Sequence, residues 1–234
     1  MADLRTRSEQ DELMDDLTLA SDELRQNLDE LETVNTWLGG YAPVLDALAR
    51  LRPRFPAGAP ARGRFGQRRR RHAPPDCPLG PPPPGARRAG WHRCHAFMLD
   101  YAAAKAQAYP EISFQQADIF APDFARQPFD ILTASLFCHH FSDEQLVQML
   151  AQWHRQAGLA VIINDLHRHP LAYHSIRWLT RLLGGSRLVR HDAPLSVARA
   201  FTRPELEALL AAAGIRNYTL RWRWAFRWQL VISA

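Results

Sequence analysis

Apolar residues recur at helical spacing near the start of the chain, where Leu13, Leu17, Leu24, Leu28, Leu31 and Val34 follow one another at intervals of three, four and seven. This pattern predicts helices across residues 8–51. One starts at Ser21, with acids in its first turn, and stops at Gly39-Gly40; another runs through Val44, Leu45, Leu48 and Leu51. From residue 97 the pattern alternates. Helices are expected over 98–108, 143–156, 171–183 and 203–213, the last with Thr202 as cap, Pro204 at its start and Gly214 at its end. Short apolar runs between polar residues predict strands over 112–116, 129–137 and 159–164, and a closing pair over 217–224 and 226–233. Strands alternating with helices imply an α/β fold on a mainly parallel sheet, and the closing pair implies an antiparallel edge.

Composition adds exclusions. A hydrophobic content of 47% is that of an ordinary globular chain. No apolar run is long enough to span a bilayer, and the acidic N-terminus has no signal-peptide core, so a cytoplasmic protein without a membrane partner is expected. Cys77, Cys94 and Cys138 have neither metal-ligand spacing nor a disulfide framework, so no metal is expected. The net charge of +5 points towards nucleic acid until it is located. Residues 61–96 hold nine arginines and one acid, a local charge of +8 that leaves −3 for the rest. The basic character belongs to one segment, and no nucleic-acid partner is expected.

That segment is anomalous. It contains no Val, Ile, Thr, Ser, Asn, Glu, Lys, Tyr or Met, and seven of the chain's seventeen prolines. Such a stretch buries too little apolar surface to offset its ordering entropy, and irregular structure is expected through it. Yet it occupies the place where an α/β domain needs its first strand, first helix and second strand. One reading is a natural Arg/Pro-rich insert. The other is a frame slip over about residues 61–96. Codons compatible with Arg64 to Ala73, read one base later, spell Asp-Leu-Gly-Ser-Gly-Gly-Gly-Asp-Thr-Leu, and those for Gly90 to Cys94 spell Val-Gly-Ile-Asp-Ala. The printed frame becomes sensible again at Phe97-Met98-Leu99-Asp100.

With those pieces the chain resembles the class I S-adenosylmethionine-dependent methyltransferases, in which a glycine loop follows the first strand and an acid ends the second. The resemblance implies a Rossmann-like sheet of seven strands, mostly parallel with an antiparallel last strand, behind an N-terminal helical extension. Residues 1–55 would form the extension or cap and 56–234 the methyltransferase domain. It implies S-adenosyl-L-methionine as cofactor. The loop glycines fall at Gly66 and at the positions of Arg68, Arg69 and Arg70, and the ribose-binding acid at that of Arg93. Residues 97–234 carry the remaining likeness. Met98 matches a residue that packs on adenine, and Asp118 and Ile119 lie in the acidic motif after the third strand. Ser135 and Leu136 end the fourth strand beside the cofactor.

Two histidine runs follow expected strands: Cys138-His139-His140-Phe141 and Asn164-Asp165-Leu166-His167. Ligands of open α/β sheets sit outside the carboxyl ends of the strands. A neutral imidazole there can take the proton of a phenol, hydroxyl or amine. His140 and His139 are therefore the candidate catalytic residues, and His167 and Asn164 the candidate acceptor contacts. The expected activity is methyl transfer to a small molecule, with an aromatic or polyketide-like O-acceptor as the expected substrate and cofactor binding by the chain as written impaired. Two alternatives stay open: a non-catalytic relic or binding module, and a dinucleotide-dependent oxidoreductase, which also uses a glycine loop and a ribose-binding acid.

Overall fold

The computed structural model describes residues 3–15, 21–54, 63–67, 87–91, 96–109 and 112–234. Helix α1 (Ser21–Trp37) and α2 (Ala42–Leu51) precede strands β1 (Gly63–Gln67) and β2 (Arg87–Trp91). Then come α3 (Ala96–Lys105), β3 (Ile112–Gln116), α4 (Pro122–Ala125), β4 (Phe129–Ser135), α5 (Asp143–Gln156) and β5 (Ala157–Leu166). Three helices, α6 (Pro170–Leu182), α7 (Arg187–Arg199) and α8 (Arg203–Ala212), lead to the closing strands β6 (Tyr218–Arg223) and β7 (Arg227–Ser233). The result is the expected α/β fold with a mixed sheet, in the order β3-β2-β1-β4-β5-β7-β6. The first five strands in that order pair in parallel. β7 is antiparallel to both β5 and β6. The chain steps outward from β1 to β3, then returns to the other side of β1 at β4. The strand order therefore reverses between β1 and β4, where open α/β sheets bind their ligands.

The inner strands explain their own sequence. On one face of β4 and β5, Leu132, Ala134, Val161 and Ile163 join Leu146, Met149, Leu150 and Trp153 of α5 and Leu206, Leu209 and Leu210 of α8. On the other, Ile131, Ala160 and Ile162 meet Ala47 and Leu51 of α2. A strand covered on both faces has no polar alternation to show, hence its continuous apolar run. Helix α5 forms where Ser142 and Gln145 close a capping box, with Asp143 and Glu144 in the first turn and His154 and Arg155 in the last. Its apolar stripe falls at i, i+3, i+4 and i+7, and each fully buried Leu contributes about 1.5–3 kcal/mol.

Several expectations are corrected. Residues 8–12 are not helical, and only a single 3-10 turn, Leu13–Asp15, precedes α1. Here the backbone bonds outward: Ser8 N donates to the Ala198 carbonyl, and Leu13 N and Met14 N donate to the Asp192 carboxylate. Leu17 lies outside the described residues. Helix α7 had no periodic signal to announce it and carries Pro194 inside. It forms because Ser186 caps Val189 N and because Leu188, Val189, Leu195, Val197 and Ala198 are buried. β4 ends at Ser135, not at Phe137, because Leu136 turns left-handed (φ 51°) into a 3-10 turn over Cys138–His140. The closing strands stop short of Trp224 and Phe226, since Ala225 and Phe226 also take positive φ, 60° and 54°. Irregular structure throughout 61–96 is also overturned, because β1 and β2 form within it. Parallel pairing uses main-chain groups alone, so Arg-rich strands can fill the gap between β3 and β4.

Candidate active site

The carboxyl end of β4 opens on a cavity of about 440 Å³. Its walls are largely apolar: Leu31 and Val34 of α1 with Leu38 just after it, Ile176 and Leu179 of α6, Ala193 and Val197 of α7, and Trp222, Trp224 and Phe226 of the closing hairpin. Ser135, Leu136, His139, His140, Glu12, Asp192 and Arg227 supply polar groups or backbone. Leu136, Ala225 and Phe226, the non-glycine residues of positive φ among the described residues, all line it. Left-handed backbone costs a non-glycine residue about 1–2 kcal/mol and persists where the surroundings over-determine it, often at functional sites.

The histidines are held by a buried carboxylate. Asp165, at 1% exposure, ends the apolar run of β5. Its Oδ2 accepts from the backbone N–H groups of Phe137, Cys138 and His139 at 3.3, 2.8 and 3.3 Å. Its Oδ1 accepts from Leu166 N at 2.8 Å and lies 2.6 Å from His139 Nδ1. An ionised carboxylate only accepts, so the Nδ1 hydrogen of His139 is donated to Asp165 and Nε2 is left to face elsewhere. Burial pushes the Asp165 carboxyl up, but the His139 charge and these hydrogen bonds outweigh it and hold it below its ordinary value. For His139 burial pushes downward, and Asp165 with Glu12 prevails, raising the imidazole above its ordinary value.

Glu12 completes the cluster from the other end of the chain. Its Oε1 lies 3.5 Å from His139 Nε2 and 3.7 Å from His140 Nδ1, and it accepts from the Ser196 hydroxyl at 2.7 Å. The two imidazole rings are 4.1 Å apart. Arginines clamp the turn that carries them: Arg199 donates to the carbonyls of His139 and His140, and Arg7 to that of Phe141. Arg227 is 97% buried at the base of the hairpin and donates to the Asn35 side chain, burial pulling its guanidinium down to about 10.

The structure thus brings His139, His140, Ser135 and Leu136 to one cavity. Asp118 stands exposed just after β3, its Oδ1 accepting from Phe120 N at 2.9 Å in its own turn, and Ile119 is buried in the core. Asn164 is fully buried and donates to the Gly40 carbonyl at 2.8 Å, tying the α1–α2 turn to β5. His167 packs beside Trp228, with ring centroids 4.8 Å apart, and burial lowers its pKa. Neither of these two lines the cavity. Gly66 pairs with Ala134 in the register of β1 and β4, and Met98 lies in α3. The positions of Arg68, Arg69, Arg70 and Arg93 lie outside the described residues. Sequence reasoning missed Glu12, Asp165 and Arg227 as site residues. Only Asp165 had a signal, as a charge closing an otherwise apolar strand.

Residues 94–157 match the family described as Methyltransferase domain. No curated protein matches the chain by sequence. Among solved structures, the CurJ carbon methyltransferase aligns with a TM-score of 0.58 at 14% identity, over 82% of this chain and 53% of that one. A putative O-methyltransferase from Nostoc punctiforme PCC 73102 aligns at 0.53 and 14%, over 83% and 57%. An O-methyltransferase family 2 protein from Planctomyces limnophilus DSM 3776, in complex with apigenin, aligns at 0.54 and 14%, over 93% and 62%. The likeness is one of fold, and the chain spans little more than half the length of the first two of these structures. Among the described residues no helix is long and apolar enough to cross a membrane. Residues 94–157 are thus similar to a methyltransferase domain, and the described residues share the fold of these methyltransferase structures.

Proposed function

We propose that this chain methylates an oxygen of a small, largely apolar acceptor of aromatic or polyketide-like kind, with S-adenosylmethionine as donor. The observation that carries the reading is the apolar cavity converging on His139 and His140 at the end of β4. Its volume of about 440 Å³ suits a small organic molecule. The helical extension supports a capping role, since α1 contributes to the cavity wall. Low cysteine content, and a net charge of −3 outside residues 61–96, support a cytoplasmic enzyme with no nucleic-acid partner.

S-adenosylmethionine supplies an electrophilic methyl group. On the β3–β4 side the residues fit it: Asp118 offers an exposed carboxylate after β3, and Ser135 and Leu136 end β4 at the cavity. The full strand order, with β1 beside β4, fits a cofactor laid across the switch point. His140 is the less buried imidazole and is placed to receive the acceptor's proton, while Asp165 and His139 position it. Asp165 holds the His139 ring in one orientation, as a carboxylate behind an imidazole does in acyl-transfer triads.

The sequence after Gln67 does not fit: three arginines, Arg68 to Arg70, stand where close backbone approach calls for glycine. The chain as written therefore binds S-adenosylmethionine weakly, and a chain restored to the shifted frame over 61–96 recovers binding. Calorimetric titration of both chains tests this. Equal tight binding would refute the frame-slip account, and no binding by the restored chain would refute the methyltransferase reading. In the restored chain His140→Ala should lower turnover with little change in cofactor affinity.

A further inference from the structure

We propose that Glu12, His139 and His140 form a site for a divalent transition-metal ion of the zinc class. The inference goes beyond methyl transfer and does not depend on it: an ion bound here takes the His140 Nδ1 lone pair, so His140 receives an acceptor's proton only in the metal-free chain. The ligand atoms of these three side chains all lie within 4.8 Å of one another. The separations to Glu12 Oε1 are 3.5 Å from His139 Nε2 and 3.7 Å from His140 Nδ1. A tetrahedral ion with ligands at about 2.0–2.1 Å holds them about 3.3–3.4 Å apart, close to the two separations from Glu12. Two imidazoles and one carboxylate are a ligand set that zinc uses.

The surroundings match what such a site requires. His139 turns Nε2 to Glu12 because Nδ1 is bonded to Asp165 at 2.6 Å, and a carboxylate behind a ligating imidazole fixes its tautomer and strengthens it as a donor. Asp165 is in turn fixed by backbone N–H groups, and Ser196 holds Glu12 Oε1. Three protein ligands leave a tetrahedral ion one position, and all three residues line the cavity, so that position faces the acceptor. Catalytic zinc sites, as opposed to structural ones, keep such a position for water or substrate. The ligand class that follows is an acceptor with an oxygen, a hydroxyl or a carbonyl, able to enter the metal's open position.

The test uses the full chain, freed of metal with a chelator and titrated with zinc alone, then with cobalt(II) alone. The sequence also holds Cys77, Cys94, His72, His92 and His95, which can take zinc, so the reading is the difference between variants. Zinc stoichiometry should fall by one equivalent in both Glu12→Gln and His140→Phe. The cobalt form should show the visible bands of a four-coordinate nitrogen and oxygen site, without the near-ultraviolet band of a cobalt–thiolate bond. Unchanged zinc stoichiometry and cobalt spectrum in variants that keep the parent's circular dichroism would overturn the proposal. If the variants do not fold, the cobalt spectrum of a Cys77→Ser, Cys94→Ser chain decides alone, and a six-coordinate aquo-like spectrum there sinks the proposal.

Discussion

Replacing Asp165 by Asn should be among the most damaging single-atom changes available to this chain. The side chain is 1% exposed, and its two oxygens serve five donors: the backbone N–H groups of Phe137, Cys138 and His139 at one oxygen, Leu166 N and His139 Nδ1 at the other. An amide keeps one acceptor oxygen and turns an NH2 donor towards the other group. Whichever way it sits, at least one backbone N–H meets a donor, three if the nitrogen takes the Phe137–His139 side and Leu166 N if it takes the other, each buried and unsatisfied at about 1–3 kcal/mol. The His139 imidazole also loses the nearer of its two counter-charges, Glu12 remaining at 3.5 Å, and breaking a buried pair typically costs about 3–5 kcal/mol. We predict that Asp165→Asn loses about 3–5 kcal/mol of unfolding free energy, with a thermal midpoint roughly 6–20 °C lower for a chain of this size. Urea unfolding followed by circular dichroism measures the first and a thermal scan the second. Asp123→Asn is the control, since its side chain is 92% exposed and it should leave both midpoints unchanged. A loss below about 1 kcal/mol in Asp165→Asn would refute the reasoning, because five satisfied donors around a buried charge cannot be that cheap to disrupt.

Further outcomes follow from the same geometry. Ala225 sits at φ 60°, so Ala225→Gly should raise stability by up to about 1 kcal/mol, and a lower thermal midpoint would contradict the left-handed turn. Glu205 pairs with Arg168; burial raises its carboxyl, but the Arg168 contact and the Thr202 hydrogen bonds hold it below its ordinary value. Its stabilising contribution is therefore present above the unfolded carboxyl pKa and lost as pH falls through the lower folded value, so the stability gap between the parent and Glu205→Gln should close in acid. Urea midpoints from pH 7 down to about pH 3 check this, and a gap that widens in acid would reverse the sign. Burial pushes the Cys138 thiol well above its ordinary value, with Asp165 adding to the rise. A thiol reagent at neutral pH should label Cys138 only after unfolding, as peptide mass mapping would reveal.

Much of the fold was legible because burial on both faces writes itself into the chain. The runs at 129–135 and 159–164 are apolar because both faces of β4 and β5 are covered, and α5 displays its cap, its charges and its stripe in order. Pattern alone therefore sufficed for the alternation of strands and helices and for the antiparallel closing pair. It also placed His139 and His140 at a strand's carboxyl end, since that edge follows from the α/β order. What the pattern could not carry was any group whose role depends on a distant partner. Glu12 lies in a stretch read as helix, and its carboxylate reaches the two histidines only when Asp192 and Ala198 capture the backbone around it. Asn164 is chemically suited to an acceptor, yet the chain spends its amide on the Gly40 carbonyl. Helix α7 contradicts its own proline because tertiary burial of Leu188, Val189 and Leu195 outweighs the local cost. Local periodicity reports which face of an element is dry, a property each segment expresses by itself. Site chemistry depends on which segments, remote in sequence, close on one another, and that is settled only by the packed chain.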